Sequence, residues 1–304
     1  MNSSVDIYEM VTNLIIERLE KGVIPWQMPW KAEIGLPQNM VHKKIYRGFN
    51  FWLLLTIADQ YGSPFFLTFN QVKELGGHVL KGEKGFPVVF WKILESEKKD
   101  GSIDHIPFLR YYTVFNLKQT GGIDESKIPP TEAYDHDFDP IGQAERLIEC
   151  WSDIPEIRFN QSHAFYAPSG DYVGMPNPRT FFRDEQYYST LFHELVHSTG
   201  HINRTGRHEK LTDHRFGSQD YSQEELVAEM GAAFLCYMTG IQNATIDNSA
   251  AYIKSWISKF KEDKKMLLVA SSMAQKAVDC ILEHQSFPNP ATYVEPVSQE
   301  AEAV

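Results

Sequence analysis

His193, Glu194 and His197 are spaced as His-Glu-x-x-His within residues 187–197, a run that reads as a helix. Side chains four apart lie one turn from each other on one helical face. Both imidazoles can therefore hold one Zn²⁺, and Glu194 falls beside the ion's open coordination position. A carboxylate there can take a proton from water and pass it to a leaving amine. The chemistry is metal-assisted hydrolysis, most often of a peptide bond. A five-residue pattern also arises by chance, as a surface helix with two histidines and a glutamate. Leu191, Leu195 and Val196 argue against that form, because they give the helix an apolar side and predict its burial. Burying two imidazoles and a carboxylate without a partner is costly, so burial predicts a metal.

A third ligand is expected downstream, where residues 221–235 read as a second helix. Ser222 is the expected N-cap, with Glu225 three residues on completing a capping box. Ala228, Gly231, Ala232 and Ala233 are small and permit close packing against the first helix. In zincins, the hydrolases built on this pattern, a glutamate third ligand sits on such a helix, and a carboxylate one turn later braces a ligand histidine. Glu225 and Glu229 fit those roles in that order, with Glu229 the competing ligand. On the bland reading Glu225 only caps a helix, and Glu224 and Glu229 are solvated charges. His201 is a third option, ranked below both glutamates because Gly200 is expected to end the helix. Upstream, residues 165–176 read as two short strands around a Ser169-Gly170-Asp171 turn, with 172–175 as an edge strand lining the cleft. Tyr166 and Tyr221 carry phenols that can stabilise an oxyanion. Zn²⁺ is the expected cofactor, and the same donors accept Mn²⁺, Co²⁺ or Ni²⁺.

These helices must be held by a chain of 304 residues, long enough for two domains. The expected fold class is α+β: an N-terminal α+β domain at 1–125, a linker at 126–140, a mainly helical domain with a small sheet at 141–286, and a disordered tail at 287–304. The Gly, Pro and Asp clusters between 120 and 141 mark the linker. Cys150, Cys236 and Cys280 are scattered, which excludes a disulfide framework and a cysteine zinc site and fits a reducing cytoplasm. No apolar run approaches a membrane span, and residues 1–22 read as an amphipathic helix on Ile7, Val11, Leu14, Ile15 and Leu19.

Charge divides unevenly. Residues 1–130 carry 15 Lys and Arg against 14 Asp and Glu, while 131–304 carry 14 against 26. The acidic half is a poor surface for phosphates; the neutral half can present a basic face. There, a helix is expected at 50–60, another at 67–75, and strands at 86–93 and 108–117 around a polar loop at 94–104. Aromatic and basic residues interleave through this half. Trp26, Trp30, Lys43, Lys44, Tyr46, Arg47, Lys81, Lys84, Trp91 and Arg110 are the candidates for contact with single-stranded DNA, since aromatic faces stack bases and cations track phosphates.

Taken together, these segments resemble the ArdC-type antirestriction proteins. In the first half the resemblance rests on Pro25-Trp26, Tyr46-Arg47-Gly48-Phe49-Asn50, Thr68-Phe69-Asn70-Gln71, Lys81-Gly82-Glu83-Lys84-Gly85 and Tyr112-Thr113-Val114-Phe115-Asn116. In the second it rests on Asp171-Tyr172-Val173-Gly174-Met175-Pro176, the stretch from Tyr188 through His201, and Glu225-Leu226-Val227-Ala228-Glu229. The resemblance implies a single-stranded-DNA-binding domain, a zincin-like metallopeptidase domain, plasmid or mobile-element origin, and protection of incoming DNA from host restriction. The expected partners are single-stranded DNA and a protein substrate, for which a host restriction component is the candidate. Two other readings stand beside it. One is a shielding protein whose metal site is structural or vestigial, and the other is an acidic mimic of DNA that blocks a restriction enzyme.

Overall fold

The structure, a computed structural model, describes residues 6–26, 35–97, 103–130, 140–211, 218–241 and 250–282. The expected tail at 287–304, most of the linker, and Trp30 lie outside these residues. The chain forms two compact units. One takes the described residues within Met1–Ala32 and Tyr134–Gln285, the other those within Glu33–Ala133.

This division differs from the 1–125 expectation at its start. Helix α1 (Ile7–Glu20) is capped by Asp6, whose carboxylate accepts from the Tyr8 and Glu9 amides. Its apolar stripe of Val11, Ile15 and Leu19 is buried. It packs against α7 (Ala250–Glu262), and Thr12 Oγ1 donates to the Lys264 carbonyl at 2.8 Å. Apolar periodicity shows that a helix buries one face but not against which partner, so the sequence alone left α1 with its chain neighbours.

The 35–130 unit is built on a five-stranded sheet in the order β2 (Lys44–Ile45), β1 (Gln38–Asn39), β3 (Phe65–Thr68), β6 (Ile103–Asn116), β5 (Phe86–Glu97). Only the β1–β3 pair is parallel. Helix α2 (Gly48–Tyr61) is apolar all round and buried from Phe51 through Ala58, as a core helix must be. Asn50 pins it to β5 by accepting from and donating to the Val89 backbone, each at 2.7 Å. The helix expected at 67–75 is in fact β3 followed by α3 (Phe69–Glu74). Thr68 closes the strand and caps the helix through a reciprocal capping box with Gln71. Of the polar hairpin loop expected at 94–104, residues 94–97 and 103–104 are strand, with Leu94 paired to Ile106 and Glu97 to Ile103, and 98–102 lie outside the described residues. Backbone pairing continues there although most of its side chains are polar. A short pair, β4 (His78–Val79) with β7 (Thr120–Gly121), completes this unit.

The other unit adds α4 (Pro140–Cys150), a three-stranded sheet, and the helices α5 (Asp184–Ser198), α6 (Gln219–Thr239), α7 and α8 (Met266–Leu282). The sheet order is β8 (Glu156–Arg158), β10 (Tyr172–Gly174), β9 (Phe165–Ala167). The expected edge strand at 172–175 is therefore the central strand, because the short, mostly polar β8 pairs with it in parallel. Such a strand carries too little pattern to be read from sequence. Helix α6 starts earlier than expected. Ser218 is its N-cap, accepting from the Tyr221 amide, while Ser222 donates to the Ser218 carbonyl from inside the first turn. Among the described residues no helix is long and apolar enough to cross a membrane. The three cysteines are free thiols.

Close packing of α5 on α6 is the feature that positions the site. A Cβ on Gly231 would lie 2.8 Å from both Val196 methyl carbons. Alanine is the better helix former by about 1 kcal/mol, yet overpacking here costs about 1–3 kcal/mol. Gly231→Ala is therefore expected to destabilise the protein, and adding Val196→Ala to recover part of the loss. A double-mutant cycle of urea denaturation checks this, and additive effects would count against it.

Candidate functional site

The sequence places His193 and His197 one turn apart on α5, and α6 brings Glu225 to face them. His193 Nε2 and His197 Nε2 lie 3.2 Å apart. Glu225 reaches the first with Oε2 at 3.5 Å and the second with Oε1 at 3.6 Å. These three donors form a group able to hold a metal ion. A tetrahedral zinc with ligands at roughly 2.0–2.1 Å separates its ligand atoms by about 3.3 Å, close to these spacings. The donor set also fits by type, with two imidazoles and one carboxylate.

Negative charge surrounds the trio. Burial pulls the His193 imidazole toward lower pKa, but the Glu225 hydrogen bond and the charges of Glu194, Glu225 and Glu229 outweigh it, and the net shift is upward. Burial also opposes ionisation of Glu225, yet His193, His197 and Tyr221 hold its carboxyl below the usual range. The Tyr221 phenol is pushed up to about 12 by burial and by Glu225 and Glu194. Tyr221 thus stands within hydrogen-bonding reach of Glu225. Glu194 itself is buried on α5.

Glu229, expected as the brace or a competing ligand, accepts on Oε2 from Trp26 Nε1 at 3.0 Å in the core, and its charge acts on His193. Glu224 touches a ligand histidine, with Oε1 3.0 Å from His197 Nδ1. With α6 starting at Gln219, Glu224 and Glu225 both meet α5, while Glu229, a turn further on, meets the residue entering from the N-terminal segment. Nor does Tyr166 reach the trio. Its hydroxyl donates to Asp171 Oδ1 at 2.8 Å, which commits it to the β9–β10 turn. His201 stands 3.7 Å from Asp171 Oδ2 rather than with the trio.

The residues that sequence reading missed lie just past α5. Arg207 is buried and grips Glu224 with Nε to Oε2 at 2.8 Å and Nη2 to Oε1 at 2.7 Å. His208 Nε2 meets the same Oε1 at 3.0 Å. Gly200 is needed for this, since a Cβ there would collide with the His208 ring. Arg204 pairs with Asp171 and donates from Nε to the Ser198 carbonyl at 2.8 Å. Basic residues beyond a helix C-terminus are a readable signal for capping its carbonyls; nothing in the sequence says that one also holds Glu224.

On the nucleic-acid side the candidates separate. Trp26 is fully buried, edge-on to Phe260. Tyr46 is buried edge-on to Phe66. Neither offers a face to a base, because each aromatic surface is spent in a core. Lys43, Lys81, Lys84 and Arg110 are exposed, whereas Lys44 and Arg47 are half-buried. Trp91 pairs with Leu109 along β5, and its side chain lies outside what is described. The exposed aromatics beside Arg110 are Tyr111 and Tyr112.

Glu224 generates a pH prediction. Burial alone would raise its pKa, but His197, His208 and Arg207 hold it well below the ordinary 4.5. A depressed carboxyl contributes stability that is full above the unfolded value and lost as pH falls through the folded one. Glu224→Gln should lower stability at neutral pH and flatten its acid-side decline, as measured by urea midpoints across a descending pH series.

Residues 143–273 match the zincin-like metallopeptidase family, and residues 5–115 match the N-terminal domain of anti-restriction factor ArdC. An uncharacterized protein, y4eC, of Sinorhizobium fredii is 35% identical over 92% of this chain and 93% of its own. A DNA primase TraC of Escherichia coli is 32% identical over 90% of this chain, which spans only 27% of that relative. The Mn(II)-bound crystal structure of the antirestriction ArdC protein from plasmid R388 superposes with a TM-score of 0.73 at 36% identity, covering 92% of this chain and 98% of that one. Its metal-free structure gives 0.70 at 37% identity, covering 92% and 97%. With both halves matched in order and almost the whole of each chain covered, this chain belongs to the ArdC family of antirestriction proteins, with a zincin-like second domain.

Proposed function

We propose that this chain binds single-stranded DNA through its 35–130 unit, carries a divalent-metal peptidase centre in the other, and protects incoming plasmid DNA from host restriction. The observation that carries the catalytic part is the His193, His197 and Glu225 trio at metal-ligand spacing. The Mn(II)-bound relative supports a divalent ion; Zn²⁺ is the ion we assign by ligand type. Bound there, the ion supplies Lewis acidity that acidifies water and polarises a carbonyl. Glu194 accepts the water's proton on its carboxylate and returns it to the leaving amine. Tyr221, within hydrogen-bonding reach of Glu225, donates a hydrogen bond from its phenol to the developing oxyanion. The raised pKa of that phenol keeps it protonated for this role.

The DNA part rests on exposed Lys43, Lys81, Lys84 and Arg110 with the Tyr111 and Tyr112 rings. The DNA-related name of the TraC relative and the match to the ArdC N-terminal domain support it. Holding DNA would bring the centre to a protein acting on that DNA, raising its effective concentration there. A host restriction component is the substrate class we assign.

Elemental mass spectrometry and a peptidase screen test the catalytic part. The wild-type protein should hold about one ion per chain, lost in His193→Ala and Glu225→Ala. Glu194→Gln should keep the ion and lose activity by about 10²–10⁴-fold. No ion in wild type after adding Zn²⁺ would sink the peptidase and leave DNA shielding.

For the DNA part, Lys81→Ala, Lys84→Ala and Arg110→Ala together should weaken oligonucleotide binding. They should also shallow its salt dependence by about 0.7 in log–log slope for each phosphate that is no longer neutralised. Trp26→Phe should leave binding unchanged, and the reverse pattern in fluorescence anisotropy would overturn the assignment.

A further inference from the structure

We propose that Arg207, acting through Glu224, is a positioning residue that decides which nitrogen of His197 faces the metal. The inference rests on the metal reading above and deepens it. Glu224 Oε1 receives His197 Nδ1 at 3.0 Å, His208 Nε2 at 3.0 Å and Arg207 Nη2 at 2.7 Å, and Oε2 receives Arg207 Nε at 2.8 Å. A carboxylate in that setting only accepts. His197 Nδ1 then carries the hydrogen given to Glu224, which turns Nε2 toward His193 Nε2 and Glu225. The ring orientation that can ligate is thus set by the protein itself.

Arg207 does this from a fixed post. Its Nη2 also donates to the Val196 carbonyl at 2.6 Å, and its Nη1 donates to Thr199 Oγ1. One guanidinium therefore joins the end of the helix bearing His193 and His197 to the residue preceding Glu225. Lysine carries the charge but not the planar fork, so it cannot span these acceptors together. His208, seated against Gly200, adds a donor to the same oxygen. An outer carboxylate held this way fixes ring orientation and ligand basicity.

The test uses the full chain labelled with ¹⁵N-histidine. Imidazole nitrogen shifts are read in metal-free protein, and Zn²⁺ affinity is read by competition with a chromophoric chelator. Wild type should show His197 protonated at Nδ1. Arg207→Lys and Glu224→Gln should each give a mixture of tautomers and weaken Zn²⁺ binding about 10–100-fold. Glu225→Ala should weaken Zn²⁺ binding while leaving the His197 tautomer in place. If Arg207→Lys fails to fold, Glu224→Gln alone decides. An unchanged tautomer or an unchanged Zn²⁺ affinity in a folded variant overturns the proposal. Wild-type protein that binds no Zn²⁺ overturns the metal reading, whereas wild-type protein that binds Zn²⁺ with variants that match it overturns only the positioning role, so the two failures are distinct.

Discussion

Four glutamates on two packed helices set the terms for the rest of this unit. Glu194, Glu224 and Glu229 are buried and Glu225 is half-buried. An ionised carboxylate taken from water costs several kcal/mol unless it is paired. The structure meets that cost residue by residue. Arg207 and two histidines surround Glu224, Trp26 donates to Glu229, and His193, His197 and Tyr221 face Glu225. What remains is negative potential concentrated on two imidazoles whose Nε2 atoms nearly touch. A divalent cation is the natural complement of such a place.

The strap after α5 follows from the same constraint. A helix C-terminus exposes carbonyls and the negative end of the dipole. Here it lies next to buried carboxylates, so two negative features converge. Arg204 and Arg207 serve both at once. One donates to the Ser198 carbonyl and pairs with Asp171, and the other donates to the Val196 carbonyl and pairs with Glu224. Thr205 satisfies the Thr199 carbonyl at 2.6 Å. The ligand helix is therefore tied to the β9–β10 turn and to α6 by groups that its own end requires.

What the sequence disclosed tracks how local the cause is. The His-Glu-x-x-His spacing, the small residues of α6 and the two strands about the Ser169-Gly170-Asp171 turn are local patterns, and the structure contains each. The brace of His197 was not legible, because a glutamate beside a candidate ligand reads as a solvated charge until a distant arginine is seen to hold it. The cap at Ser218 rather than Ser222 shifts nothing in the face presented by Glu225, which is why a different helix start still leaves Glu225 beside the two histidines. Strand β8 escaped for the opposite reason. Three residues of backbone pairing carry no periodicity of their own.

Trp26 shows where composition misleads most. A tryptophan in a chain segment rich in aromatics and cations fits a stacking platform. It fits a core equally well, because its indole offers a large apolar face and one donor. The donor decides between them once a buried acceptor is known. Glu229 needs a hydrogen bond in the core, and Trp26 supplies it. Since α1 and Trp26 lie in the same unit as α6, the chain builds part of the unit with the candidate metal centre before it enters the 35–130 unit and returns to finish it afterwards. Residues 6–26 are thus part of the support for the candidate metal centre, and truncating them would remove a partner from one of its buried carboxylates.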